Sequence, residues 1–105
     1  MKSESSKTWI VSRHIGAIEY MRNAGFKGQV VSHINIDDVR PNDLVVGVVS
    51  IALAAVLQAK GVRVCHLIID IPVHLRGQEL DVNTLQQLDA KFAYYAISMV
   101  KHHGG

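Results

Sequence analysis

The chain of 105 residues is 49% hydrophobic and has a formal net charge of +2 with its histidines neutral. This length suits a single compact domain with a real core, and the apolar content excludes an intrinsically disordered chain. The small net charge excludes a protein that coats duplex nucleic acid, while it permits a local cationic pocket for a small anion. The sequence shows no apolar run of membrane-spanning length and no signal-peptide pattern in its first residues, so we expect no membrane partner.

The first half of the chain predicts two strands separated by a helix. Residues 8–12 form an apolar run typical of a strand, and residues 14–23 carry apolar side chains at helical spacing. Gly25 follows as a natural C-terminal cap. Residues 28–34 predict a second short strand, and the polar segment 35–43 predicts a turn with room for one helical turn.

The second half predicts two buried strands and two helices. Residues 43–50 are a continuous apolar run, typical of a strand covered on both faces. A helix over 51–60 follows, with Ser50 as its N-cap, and residues 62–70 predict another buried strand. The last helix is expected over 81–99, because apolar residues step by three and four along it. That stripe consists of Leu85, Leu88, Phe92, Tyr95 and Met99.

The order of these elements indicates the fold class. Long apolar strands that alternate with helices indicate a mainly parallel sheet between two helical layers. With right-handed crossovers, the result is an α/β fold, a small Rossmann-like three-layer sandwich. We expect one domain over residues 1–105, with frayed ends at 1–6 and 102–105.

The single cysteine, Cys65, lies inside the apolar run "VRVCHLIID". One cysteine forms no internal disulfide, so a reducing cytoplasm is the expected location. We interpret Cys65 as a small buried hydrophobe rather than a reactive thiol.

Polar side chains collect where the predicted parallel strands end. In open parallel sheets, ligands bind beyond the carboxyl ends of the strands. The candidate site residues at these ends are Ser12, Arg13, His14, His33, Ser50 and Arg76. Helix N-termini at the same edge suit a phosphate, and the guanidinium of Arg13 can hold one through two hydrogen bonds. His14 adds a group for proton transfer, and Gly16 in the first helical turn is expected to let a ligand approach closely.

Each candidate also has a structural interpretation. Arg13 and His14 could cap the sheet edge and pair with Asp37 or Asp38. Ser50 could be a plain helix cap. Both interpretations remain open at the level of the sequence.

The remaining histidines and aspartates give no metal motif. His33 suits a turn, and Asp43 shares with its neighbouring aspartates a turn or cap role. The adjacent His102 and His103 lack carboxylate or cysteine partners, so we expect no metal. The sequence contains no GxGxxG, no Gly-rich phosphate loop, no CxxC and no HExxH, so we expect no nucleotide cofactor either.

Three segments together carry a family resemblance: "TWIVSRHIGAIEYM", "HINIDDVRPNDLVVG" and "LRGQEL". In combination they resemble the small CRISPR-associated accessory proteins found beside type III systems, over roughly residues 7–99. The resemblance implies a single CARF-like domain, a homodimer and recognition of cyclic oligoadenylate, the second messenger of type III immunity. It also implies ring-nuclease activity, which linearises the messenger and switches off antiviral signalling. The family-like site positions are Ser12, Arg13, His14 and Arg76.

The expected enzyme is therefore a metal-independent ring nuclease that acts on cyclic oligoadenylate, with cyclic tetra-adenylate as the expected ring. The ligand's own 2′-hydroxyl would attack the neighbouring phosphorus in line. Ser12 would orient the phosphate, Arg13 would stabilise its developing charge, and His14 would move the proton. The ligand-binding residues would be His33, Ser50 and Arg76.

Two other functions stay open. A non-catalytic sponge would share the fold, dimer and pocket, and would sequester the messenger without cutting it. A structural or regulatory partner of another protein would bind no small ligand. For the dimer, the first or last predicted helix is expected to supply part of the contact.

Overall fold

The computed structural model describes residues 6–104, so residues 1–5 and 105 of the predicted frayed ends, 1–6 and 102–105, lie outside the described residues. The strands are β1 (Thr8–Val11), β2 (Gln29–Val31), β3 (Leu44–Gly47), β4 (Arg63–Ile68) and β5 (Lys91–Tyr94). The helices are α1 (Ile15–Asn23), α2 (Ile51–Ala59) and α3 (Val82–Gln87). Single 3₁₀ turns occupy Ile36–Asp38 and Val73–Leu75.

The five strands form one sheet in the order β2-β1-β3-β4-β5. The first four are parallel, and β5 pairs antiparallel with β4. This arrangement confirms the predicted α/β class with a mainly parallel sheet.

The two faces of the sheet carry separate helical layers, because successive strand residues point to opposite sides. Trp9 and Val45 pack with Ala54 and Leu57 of α2 on one face. Ile10 packs with Met21 of α1 on the other face, where α3 lies against α1. The chain is therefore a three-layer sandwich.

Cys65 belongs to the buried core on the α1 face, which confirms its predicted role as a small hydrophobe. Burial raises the pKa of its thiol above the usual value and opposes thiolate formation.

The prediction of one long helix over 81–99 is wrong after the first turns. The chain leaves α3 through Asp89, whose φ of 57° lies in the left-handed region that aspartate tolerates. It then enters β5, where Phe92 stacks near Tyr20 and Phe26 at centroid distances of 5.8 and 4.9 Å. As a strand, this segment pairs its backbone with β4 and packs Phe92 against Tyr20 and Phe26. A helix that continued into solvent would leave Phe92 without these contacts.

Asp43 ties β1 to the turn before β3 at the amino edge of the sheet. Its buried carboxylate accepts hydrogen bonds from the Lys7 backbone N–H at 2.8 Å, Trp9 Nε1 at 3.0 Å and the Arg40 backbone N–H at 3.0 Å. Burial by itself raises the pKa of this carboxyl, but the three N–H donors outweigh burial and lower it below the ordinary value. Asp43 thus has the structural role expected from the sequence.

Within residues 6–104, no helix has the length and apolar character needed to cross a membrane.

Candidate functional site

The centre of the carboxyl edge lies between β1 and β3. These strands are neighbours, and the chain leaves β1 toward α1 on one face and β3 toward α2 on the other. In open α/β sheets, ligands typically bind at such a change of direction. Gly47, the last residue of β3, has a φ of 146°, and a Cβ there would collide with the carbonyl oxygen of Val11. The glycine therefore allows the strand ends to approach closely.

Ser12 shapes the loop that leads from β1 to α1. Its backbone N–H donates to the Val31 carbonyl at 3.0 Å, which extends the pairing of β1 with β2. Its hydroxyl oxygen accepts from the His14 backbone N–H at 3.0 Å. This turn places His14 at the N-cap of α1, where no side chain caps the helix.

His14 forms a hydrogen-bonded pair with Glu79. The distance between His14 Nδ1 and Glu79 Oε1 is 2.8 Å, and the two side chains are 60% and 62% exposed. A carboxylate oxygen only accepts, so Nδ1 carries the hydrogen and the neutral ring has its lone pair on Nε2. An imidazole oriented in this way can accept a proton from a bound hydroxyl group.

An open cavity of about 380 Å³ lies beside this pair. Its lining consists of Arg13, Ile15, Gly16, Glu19, Glu79, Leu80 and Asp81. Asp81 caps α3 by accepting from the Thr84 backbone N–H at 2.8 Å, and this hydrogen bond lowers the pKa of its carboxyl. The cavity is therefore lined by one guanidinium and three carboxylates. The sequence predicted a cationic pocket at this edge, and the cavity of a single chain is not cationic.

Gly16 serves the protein itself at this point. A Cβ on Gly16 would collide with the carbonyl oxygen of Leu80 and lie 2.9 Å from Cα of Asp81. The expectation that Gly16 makes room for a ligand is wrong: the missing side chain lets segment 79–81 pack on the first turn of α1. That packing brings Glu79 to His14.

The other sequence-predicted ligand residues lie on separate loops of the same edge. Ser50 caps α2 by accepting from the Leu53 backbone N–H at 3.1 Å, which is the structural interpretation left open above. His33 lies exposed in the bend after β2. Arg76 is exposed and donates from Nε to the Ile71 carbonyl at 3.1 Å.

The structure therefore joins some of the predicted residues directly and others only through the sheet edge. Ser12, Arg13 and His14 share one loop, and His14 pairs with Glu79 rather than with Asp37 or Asp38. Across residues 6–104, no hydrogen bond or ion pair links His33, Ser50 or Arg76 to Arg13 or His14. The three would have to meet a shared ligand to act with that loop.

Sequence reasoning missed Glu79 as a site residue. Its place in the "LRGQEL" segment after β4 put it at the correct edge of the sheet. Nothing local points from it to His14, 65 residues earlier, because the contact depends on how segment 79–81 packs on α1.

The described part of the chain holds no group of three or more His, Cys, Asp or Glu side chains arranged to bind a metal ion. The side chains and backbone at this edge supply a guanidinium, an oriented imidazole, three carboxylates, hydroxyls and backbone N–H groups.

Comparison with curated proteins and with solved structures gave no match. Comparison with protein-family models gave a match over residues 9–98, to the family described as "Putative CRISPR-associated protein (Cas_VVA1548)". This match covers the sheet apart from Thr8, the first residue of β1, together with α1, α2, α3 and the β1–α1 loop. The chain therefore belongs to this family of CRISPR-associated proteins.

Proposed function

We propose that the chain is a ring nuclease that linearises cyclic oligoadenylate, with cyclic tetra-adenylate as its substrate, and thereby switches off type III antiviral signalling. The observation that carries the proposal is the hydrogen bond between His14 and Glu79 beside Arg13. Arg13 and His14 lie on the loop between β1 and α1. Membership of a CRISPR-associated family supports the biological context.

The ligand itself would supply the nucleophile. Each linkage of an RNA ring has an adjacent 2′-hydroxyl, whose oxygen can attack the neighbouring phosphorus. The O2′–P bond forms, the P–O5′ bond breaks, and the product is a linear oligoadenylate ending in a 2′,3′-cyclic phosphate. Holding the hydroxyl in line can supply up to about 7–11 kcal/mol of the barrier, so positioning is the main task of the protein.

His14 is suited to the proton transfers of this reaction. With Nδ1 bonded to Glu79, Nε2 can take the proton from the 2′-hydroxyl as it attacks. The resulting imidazolium, stabilised by the carboxylate, can return the proton to the leaving 5′-oxygen, directly or through water.

Arg13 is suited to the charge that grows on the phosphate. Its guanidinium can donate two hydrogen bonds to the nonbridging oxygens, and the N-terminus of α1 has no side-chain cap competing for its free N–H groups. Ser12, whose hydroxyl already positions His14, would act chiefly through that turn. His33, Ser50 and Arg76 would contact the outer parts of the ring.

A homodimer would complete the site. The cavity of about 380 Å³ at one edge is small for a ring of four nucleotides, and its carboxylates oppose a phosphate. A cyclic tetra-adenylate can have a two-fold axis, so two copies of the edge could hold it from both sides.

The proposal is tested by incubating an excess of cyclic tetra-adenylate with the protein in EDTA and quantifying products by chromatography and mass spectrometry. We expect linear product with a 2′,3′-cyclic phosphate in amounts exceeding the protein. Intact ring recovered from the denatured complex would instead identify a sponge. Absence of both binding and cleavage, with no thermal shift for any cyclic nucleotide, would favour a protein partner.

A further inference from the structure

The outer side of α2 and the C-terminal segment 96–103 border an open groove of about 1120 Å³, which we call the α2 groove. In its lining, Val56 is 47% exposed and Met99 is 61% exposed, whereas Ala55 and Ile97 are half-buried. We propose that the α2 groove docks an amphipathic α-helix of a partner protein, whose apolar face fills the groove and whose acidic residues lie at one end.

The α2 side of the groove has the pattern of a helix-packing surface. The residues Ala52, Ala55, Val56 and Ala59 line it at positions i, i+3, i+4 and i+7, which share one helix face. Their small side chains let the axis of a second helix come as close as about 8 Å. Laying the apolar face of a helix into such a groove is a recurring mode of protein recognition.

The second side of the groove is held in place within the chain. Gln58 of α2 donates from Nε2 to the Tyr95 carbonyl at 2.7 Å and accepts at Oε1 from the Ile97 backbone N–H at 2.9 Å. These two bonds fasten the C-terminal segment to α2. They also satisfy the only polar side chain of α2, so a docked helix would leave no buried amide without a partner.

The charge of the groove indicates the charge of its occupant. Lys101, His102 and His103 line it, and within residues 6–104 no Asp or Glu does. Neither ion pair found in that range involves Lys101. The three side chains are consecutive, so their N–H donors are gathered at one place along the groove. Carboxylates accept from an ammonium and from an imidazole N–H, so acidic residues at the matching end of the partner helix complement this charge.

A protein helix fits these features better than a bilayer or a second copy of this chain. A flat bilayer surface would meet Val56 and Met99 but would not reach the half-buried Ala55 and Ile97. The α2 helix of a second copy would bring no carboxylate to Lys101, because its nine residues, "IALAAVLQA", include no charged side chain. An acidic amphipathic helix supplies both the shape and the charge.

The α2 groove is separate from the proposed site of ring cleavage. None of the residues that line it lines the cavity beside His14. Docking can therefore be measured without a cyclic nucleotide, and it can stand even if the proposed activity fails. The nine residues of α2 span about 14 Å, so the docked part of the partner is expected to be about three helical turns.

The probe for this proposal is a phage-displayed library of amphipathic helical peptides of about 14 residues, selected on the full chain. Apolar residues are fixed at i, i+3, i+4 and i+7, and the other positions are randomised. We expect the recovered peptides to carry Asp or Glu clustered at one end. Fluorescence anisotropy of the labelled peptides then measures their affinity for the wild type and for variants.

Two variants test the two halves of the recognition. Val56→Gln places a polar amide against the apolar face of the peptide and should weaken binding by about 10-fold or more. Lys101→Glu should weaken it by about 10-fold at low salt. Val73→Gln and Lys27→Glu are the matched controls, because both side chains are exposed outside the groove, and these variants should bind like the wild type.

Circular dichroism checks that each variant folds. If Val56→Gln does not fold, Met99→Gln decides instead, since Met99 lies outside the helices and strands. The proposal is overturned if selection yields no peptide whose binding depends on Val56 or Met99, or if Lys101→Glu binds no more weakly than Lys27→Glu. A wild type that binds no peptide but binds phosphatidylglycerol vesicles, or self-associates, through Val56 also overturns it and identifies a lipid surface or a second copy as the occupant.

Discussion

The hydrogen bond between Glu79 and His14 lets one side chain orient another that lies 65 residues away. Replacement Glu79→Gln removes the charge that favours an imidazolium and lets either ring tautomer form. We expect cleavage of cyclic tetra-adenylate to slow by about 10- to 100-fold, less than loss of the base itself, with affinity little changed. Single-turnover rates and equilibrium binding measure the two effects separately.

Glu19→Gln is the matched control for this prediction. Glu19 lines the same cavity but makes no hydrogen bond or ion pair to His14 in the described residues. Removing its charge should leave cleavage unchanged or improve it, because phosphate is repelled less. Equal slowing in the two variants would contradict a positioning role for Glu79.

A second prediction at the residue scale concerns the contribution of Asp43 to the free energy of unfolding. Asp43→Asn replaces an acceptor of three buried hydrogen bonds by a group that also donates, and should cost about 2 kcal/mol at pH 7. The folded pKa of this carboxyl is lowered, so its contribution is present above the unfolded value near 3.8 and is lost as pH falls through the folded pKa.

Urea unfolding at several pH values measures this contribution. The difference in unfolding free energy between wild type and Asp43→Asn should be full at pH 7 and should shrink below the ordinary pKa of an aspartate. A difference that stays constant down to strongly acidic pH would contradict the assigned role of the charge.

At the scale of elements, the packing of segment 79–81 on α1 gives a prediction with a definite sign. Helix propensity alone predicts that Gly16→Ala stabilises α1 by about 0.5–1 kcal/mol. The collision with the Leu80 carbonyl oxygen predicts the opposite, a net loss of stability, together with slower cleavage because Glu79 moves away from His14. A higher thermal midpoint for Gly16→Ala would show that segment 79–81 does not pack there.

The two interpretations of Ser50 separate in a similar way. If Ser50 is only the cap of α2, Ser50→Ala should lower the free energy of unfolding by about 1 kcal/mol and leave ligand affinity unchanged. If affinity for cyclic tetra-adenylate falls as well, Ser50 also contacts the ligand. Thermal unfolding and isothermal titration on one preparation distinguish the outcomes.

How much of the fold could be predicted from the sequence differs between elements. The parallel strands β1, β3 and β4 are apolar runs bounded by turn residues, so their presence and the mainly parallel class of the sheet could be predicted, whereas their order in the sheet could not. The structure of the region after α3 could not be predicted. The spacing of apolar residues from Leu85 to Phe92 fits one continuous helix as well as it fits a short helix followed by a strand. Long-range burial of Phe92 against Tyr20 and Phe26 decides between them.

The same division holds for the candidate site. The strand-end rule placed Ser12, Arg13 and His14 on one loop, since it needs only the strand boundaries. The partner Glu79 and the use of Gly16 could not be predicted, because both depend on which loop packs on α1. The acidic lining of the cavity follows from the same packing.

At the scale of the whole molecule, one chain offers an edge with an oriented imidazole and a cavity short of positive charge, and elsewhere an uncovered apolar helix. If two copies associate around one ring, the second edge adds a second Arg13 and His14, and it also doubles the carboxylates of the cavity. The ligand stoichiometry should then be one ring per two chains, which isothermal titration with the slow variant His14→Ala measures. A stoichiometry of one ring per chain would contradict a shared site.

The central claim is that His14 moves the proton when the ring's own 2′-hydroxyl attacks. Its most direct test is the single-turnover cleavage rate of cyclic tetra-adenylate by wild type and His14→Ala in EDTA, with affinity measured in parallel. We predict cleavage by the wild type without metal, and a rate at least about 100-fold lower for His14→Ala at similar affinity. Equal rates in the two proteins, or no cleavage by the wild type, would contradict it.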